Sequence, residues 1–141
     1  MTRLQKVLYP ATLILLITAG ISLASGKPAP SQDYCTIAKE HYDKQQYQEA
    51  IRWYKEAIKT NPGDSRGYEG LGRVYLRMRD YPQARECFRE VIRIDRHNIK
   101  GYNGLGRICL NMKDYTQAMK YFKEAIRISP KDSEGYTGLG R

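Results

Sequence analysis

Only three cysteines and two histidines occur in 141 residues. Three cysteines cannot make a fully paired framework, which excludes a small disulfide-stapled scaffold. His41 and His97 stand alone, with no Cys or His partner at ligand spacing, so no metal site is expected. No Ser–His–Asp or Cys–His arrangement can be assembled, and neither catalytic residues nor cofactors are expected. Phenylalanine (2) and tryptophan (1) are scarce, and the length leaves no room for a large two-domain enzyme. What the chain has in quantity is glycine (12), tyrosine (12) and positive charge, +9 net, with 41% apolar residues. That is the composition of a folded protein rather than a disordered tail.

Between Val7 and Gly26 there is no charged residue at all. Arg3 and Lys6 precede an apolar run through Leu13–Ile17 and on to Ala24, followed by small residues. A basic start, an apolar stretch and a small-residue end fit a secretory signal peptide cleaved near Ala24. Residues 7–24 are equally long enough to remain as a membrane anchor. Both readings leave Arg3 and Lys6 in the cytoplasm and export the rest of the chain. The expected location is therefore extracytoplasmic: secreted or periplasmic after cleavage, or held on the membrane as a single-pass protein. Residues 27–30, Lys-Pro-Ala-Pro, read as a short stiff linker.

The remainder is organised by a period of 34 residues. SRGYEGLGRVYLRMRDYPQARECFREVIRID begins at Ser65, and IKGYNGLGRICLNMKDYTQAMKYFKEAIRIS begins 34 positions later at Ile99. A looser copy begins at Ser31, and SEGYTGLGR begins at Ser133. The expected units are therefore 31–64, 65–98, 99–132 and the start of a fourth at 133–141. Within the second copy Tyr68, Leu71, Tyr75 and Met78 are spaced by three or four, as on one helix face. Asp80-Tyr81-Pro82 then interrupts, with Pro82 suited to the first turn of a new helix, and Ala84, Phe88, Val91 and Ile92 make the next stripe. Each copy reads as helix, turn, helix, turn.

These residues resemble the tetratricopeptide repeat family, whose pattern runs W-x2-L-G-x2-Y, then A-x3-F, then P. The second copy supplies Tyr68, Leu71, Gly72, Tyr75, Ala84 and Phe88. The third supplies Tyr102, Leu105, Gly106, Ala118, Phe122 and Pro130, and the first Tyr34, Ala38, Ala50, Tyr54 and Pro62. The resemblance implies an all-α solenoid, a right-handed superhelix of antiparallel helix pairs, here preceded by the apolar export helix. Gly72, Gly106, Ala38, Ala50, Ala84 and Ala118 are then small because helices cross closely there. The Gly67-x-x-Gly70-x-Gly72 run, though it looks like a phosphate loop, recurs at the repeat period inside a helix and reads as packing. Tyr136 and Leu139 are expected to pack on the helix before them. Cys87 and Cys109 should lie at similar height across a helix pair, a disulfide being permitted by export but two buried thiols favoured.

The family resemblance also implies a function: a non-enzymatic scaffold that holds a peptide in the groove lined by each first helix. Positions 2, 5, 9, 12 and 13 of the repeat face that groove. The implied contacts are Lys39, Tyr42, Arg66, Arg73, Leu76, Arg77, Lys100, Asn103, Arg107 and Asn111. Basic residues predominate, so an acidic or C-terminal peptide of another protein is the expected ligand, gripped by Arg73, Arg77 and Arg107. The family's carboxylate-binding arrangement of Lys at position 5 and Asn at positions 9 and 13 is not reproduced. Nucleic acid is not expected outside the cytoplasm. The alternatives are self-association through an uncapped C-terminal end and rest against anionic lipid.

Overall fold

The computed structural model describes residues 33–140. The expected export segment (1–26) and the linker (27–30) lie outside them. Among the described residues no helix is long and apolar enough to cross a membrane.

Seven helices and no strands make up this region: α1 (Tyr34–Asp43), α2 (Tyr47–Thr60), α3 (Ser65–Arg77), α4 (Tyr81–Ile94), α5 (Ile99–Asn111), α6 (Tyr115–Ile128) and α7 (Ser133–Leu139). Short polar side chains start them. Asp33, Asp64, Asn98 and Asp132 cap α1, α3, α5 and α7 by accepting backbone N–H bonds, for example from Arg66 at 3.0 Å. Such caps satisfy donors that no helical carbonyl can reach.

The turn inside each pair is the same three times. In α3 the Asp80 N–H donates to Tyr75 O at 2.9 Å and the Arg79 N–H to Leu76 O at 3.2 Å. This closed ending requires a left-handed residue just past the helix. Gln45, Arg79 and Lys113 fill that place with φ of 59°, 62° and 62°. The residue after it turns the chain into the next helix, and in two of the three turns its side chain is the cap: Asp80 for α4 and Asp114 for α6.

Helices approach closely where the sequence is small. Ala38, Ala50 and Ala84 are fully buried and Ala118 is 1% exposed. A Cβ at Gly72 would lie 3.1 Å from the Phe88 ring, and one at Gly106 would lie 2.7 Å from Phe122. The glycines are cleared for aromatic rings, as the packing reading of their spacing required. The core forms three clusters, one of which joins Ala38 and Ala50 to Leu71, Val74 and Cys87, across α1 to α4. Each pair thus buries its stripe against its neighbours, the physical basis of a repeat array. Cys87 and Cys109 are buried free thiols and lie in different clusters. The disulfide alternative is not realised.

The last helix departs from expectation. α7 meets α6 through Gly135, against Ile126, and Gly138, against Phe122. Tyr136 is 54% and Leu139 37% exposed, so neither is the packing residue the sequence suggested. Leu105, the repeat equivalent of Leu139, is 4% exposed within a cluster that includes Ile108 and Tyr121, and Tyr102, that of Tyr136, is half-buried.

Candidate functional site

First helices pack directly on first helices: α1 on α3, α3 on α5, α5 on α7. The backbones of the second helices α2, α4 and α6 stay farther apart and meet only through side chains, as where Tyr121 packs on the cluster of Ala84 and Phe88. A stack that is tight on one side and splayed on the other is curved, with the first helices on its inner face. That face is the candidate groove.

Ion pairs stitch neighbouring first helices together. Arg66 pairs with Asp33 at 3.1 Å and with Asp64 at 2.7 Å. Lys100 pairs with Glu69 at 3.1 Å, and Arg107 with Glu134 at 3.4 Å. Asn103 donates to the Asp132 carboxylate at 2.8 Å. The Arg66 guanidinium holds the Asp64 carboxyl below its ordinary range, and Asp64 in turn pushes Arg66 up. Burial pushes the Cys35 thiol up to about 11, helped by the Asp33 charge. The half-buried Cys35 packs against the core cluster of α1 to α4.

Most of the expected groove residues are surface groups, and two are not. Lys39, Arg66, Arg73, Arg77, Lys100, Arg107 and Asn111 are exposed, and Tyr42 is half-buried. Leu76 is 7% exposed and clusters with Ala84 and Phe88 of its own pair and with Leu105 and Ile108 of the next, so it is core and no foothold. Asn103 is 2% exposed: its Nδ2 donates to Asp132, while its Oδ1 is buried without a hydrogen-bond partner among the described residues. A repeat position fixes the direction of a Cβ, but the cover from the next pair decides exposure. Leu110 remains half-buried, beside a recess of about 160 Å³ with Tyr115, Met119 and Leu139.

The structure gathers these residues into two polar recesses. One, of about 220 Å³, lies over Gly104 and Phe88 between Glu69, Arg73, Lys100, Arg107 and Glu134. The other, of about 410 Å³, lies at the α1–α2 turn between Tyr42, Asp43, Gln45, Tyr47 and Arg77. Arg73 joins the two, its guanidinium 5.1 Å above the Tyr42 ring. Position counting missed Asp33, Tyr47, Asp132 and Glu134. Glu134 was legible, since it stands at position 2 of the fourth copy as Arg66 and Lys100 stand in theirs. Among the described residues no cluster of His, Cys, Asp or Glu is suited to a metal ion.

Curved stacks of antiparallel helix pairs in 34-residue register define a helical-repeat protein built for surface recognition. The sequence profile of the tetratricopeptide repeat matches residues 35–99 and 70–133. The chain belongs to that family. Similar solved structures include the Arabidopsis OM64 TPR domain, at 23% identity and TM-score 0.72, covering 77% of this chain and 89% of that one. The second TPR domain of human RPAP3, solved in complex with the HSP70 peptide SGPTIEEVD, is 17% identical with TM-score 0.71 over 77% of this chain and 90% of that one. The first TPR of Spaghetti (RPAP3), bound to the HSP90 peptide SRMEEVD, is 17% identical with TM-score 0.72 over 76% and 85%. No curated protein matches the sequence.

Proposed function

We propose that this chain is a non-enzymatic protein-interaction scaffold whose inner groove receives an acidic or C-terminal peptide segment of a partner protein outside the cytoplasm. The binding unit is the array of three pairs, 31–64, 65–98 and 99–132, with the start of a fourth. One observation carries the reading: the inner face of the stack presents arginines beside half-buried tyrosine, on a fold whose relatives were solved holding peptides rich in Glu and Asp. Guanidinium forks suit carboxylates, and the groove's length suits an extended chain. The extracytoplasmic placement rests on the uncharged run from Val7 to Gly26 behind Arg3 and Lys6.

The test is fluorescence anisotropy with the full chain and labelled peptides of one length, in which Glu and Asp are retained or replaced by Gln and Asn. The acidic series should bind and weaken as salt rises. Equal affinity for the neutral series would remove the acidic-groove reading. A second reading, self-association, is supported by the apolar recess around Tyr115, Met119 and Leu139, which are 58%, 45% and 37% exposed. Sedimentation over a concentration range tests it, and a constant monomer mass would sink it.

A further inference from the structure

The stack has two unlike edges. Contacts between the starts of first helices, Asp33 with Arg66 at 3.1 Å and Ser65 with Asn98 at 3.3 Å, show that these helices run in one direction. Their C-terminal ends, and with them the turns inside the pairs, therefore share the opposite edge. There Lys44, Arg77, Arg79 and Lys113 are exposed and have no carboxylate partner among the described residues. The carboxylates of this edge are occupied. Asp43 is bonded to Lys39 at 2.6 Å, and Asp80 and Asp114 accept the Gln83 and Gln117 N–H groups as caps. Met78, Met112 and Tyr115 stand beside the cations, 41%, 51% and 58% exposed. The turns between pairs, at 61–64, 95–98 and 129–132, expose no large apolar side chain and carry Asp64, Asp95 and Asp132.

Two of these cations hold positions that glycine would fill at lower cost. Arg79 and Lys113 have φ of 62°, in the left-handed region that disfavours a Cβ. Both are exposed and make no ion pair among the described residues, so neither recovers that strain within the chain. Strain of this kind persists where a side chain serves something other than folding. Each follows an exposed methionine, so two successive turns present a thioether and a cation side by side. Neighbouring turns are also in touch. Arg77 shares the recess of about 410 Å³ with Gln45 and Tyr47 of the first turn, and the Arg85 guanidinium reaches the Met112 sulfur at 3.2 Å.

We infer that this edge lies on a bilayer surface containing anionic phospholipids. Guanidinium and ammonium groups meet headgroup phosphates, while unbranched methionines enter the acyl boundary and a tyrosine sits at the level between. Equivalent turns placed one repeat apart meet an extended plane, and the opposite edge offers it neither apolar side chains nor an excess of charge. The uncharged run from Val7 to Gly26, read as export signal or anchor, brings the chain to a membrane in either case. That support rests on the location reading above; the edge chemistry does not. Docking by the turns leaves the inner groove open to a partner.

The test is co-sedimentation of the full chain with vesicles of phosphatidylcholine, alone or mixed with about one third phosphatidylglycerol. Binding should favour the anionic vesicles and weaken as salt rises. The neutral vesicles register what the apolar run contributes, which every variant shares. R79G/K113G should weaken the anionic preference about tenfold or more, yet stay at least as resistant to urea, because glycine suits both turns. R96Q/K131Q, on the opposite edge, should change it about twofold or less. M78S/M112S should lower the binding that survives high salt. No change there would mean that charge alone is read, as by a soluble polyanion, and would overturn the membrane assignment. M112W places a fluorophore on the edge, and its emission should shift to the blue on anionic vesicles while buried Trp53 stays constant. No preference for anionic vesicles, equal losses in the two charge variants, or binding without the blue shift would overturn the inference. None of these outcomes touches the groove reading, which the peptide titration tests separately.

Discussion

The ring of Phe88 occupies the space that a side chain at Gly104 would need. A Cβ built on Gly104 would lie 2.5 Å from that ring, although the residue is inside helix α5. Phe88 belongs to α4 and is 2% exposed, so it has nowhere to retreat. The same relation recurs at Gly70 with Tyr54 and at Gly138 with Phe122. The groove floor is therefore bare backbone over aromatic rings, an arrangement only glycine permits.

Gly104→Ala should accordingly destabilise the array, against the helix-propensity trend. Alanine gains about 1 kcal/mol in a helix interior, while forcing a methyl into a packed site costs about 1–3 kcal/mol. The difference spans about 0–2 kcal/mol, and a Cβ held 2.5 Å from a ring that cannot retreat puts the expected loss in urea denaturation in the upper half of that range. Gly63 is the control: its Cβ would meet only Asn61 Oδ1 at 3.7 Å. Gly63→Ala should stay within about 0.5 kcal/mol of the parent. Matching effects at the two sites would show that Gly104 is not reserved for the ring.

The turns within the pairs carry a correctable strain. Arg79 and Lys113 hold φ of 62° without being glycine. The left-handed region costs an ordinary residue about 1–2 kcal/mol, and glycine gives back about 0.5–1 kcal/mol through its freer unfolded chain. Arg79→Gly should therefore raise stability by about 0.5–1 kcal/mol, and Arg79→Val, branched at Cβ, should lower it. A destabilised glycine variant would mean that the arginine side chain supports the turn in some other way.

How far the sequence carried depended on distance along the chain. The 34-residue period announced helices, turns and small residues because each is set by neighbours a few positions away. Pro82 and Asp80 marked the start of α4 in this way. Leu76 and Asn103 were misplaced because burial depends on the next pair, tens of residues on. The Arg107–Glu134 and Lys100–Glu69 pairs join residues 27 and 31 positions apart. Counting charges by repeat position gave a basic trough; only the distances show that most of those charges are matched. Leu139 differs in the same way from its repeat equivalent Leu105, 37% against 4% exposed.

Cys87 offers a probe of core opening. Burial pushes its thiol up to about 12, with the Glu86 charge adding to the effect. Only the thiolate reacts, so alkylation by iodoacetamide at mild pH should wait for unfolding. The linkage has a definite sign: the thiol is neutral when folded and ionises freely when unfolded. Its contribution to stability is therefore whole below the unfolded value of 9.0 and drains away as pH rises from there towards 12. Cys87→Ala should flatten that alkaline decline in a series of urea midpoints. Rapid labelling of Cys87 in the native protein would contradict its place beside Leu71 and Val74.

Asp64 sets the opposite limit, at acid pH. It caps α3 through the Arg66 N–H and accepts from the Arg66 guanidinium at 2.7 Å, and these bonds hold its carboxyl below the ordinary range. The folded state therefore binds the proton less readily than the unfolded chain. The stability this supplies is present above the unfolded value of about 3.9 and is lost as pH falls through the depressed folded value. Asp64→Asn separates the two roles, because Asn caps a helix as well as Asp does but carries no charge. The variant should keep α3 intact at neutral pH, with a small loss that shrinks as salt rises, and should show a shallower decline in acid. Arg66→Gln should return the Asp64 carboxyl towards its ordinary pKa in a carbon-detected NMR titration. An unchanged titration would mean that the backbone cap alone, and not the guanidinium linking Asp64 to Asp33, fixes the charge at this junction.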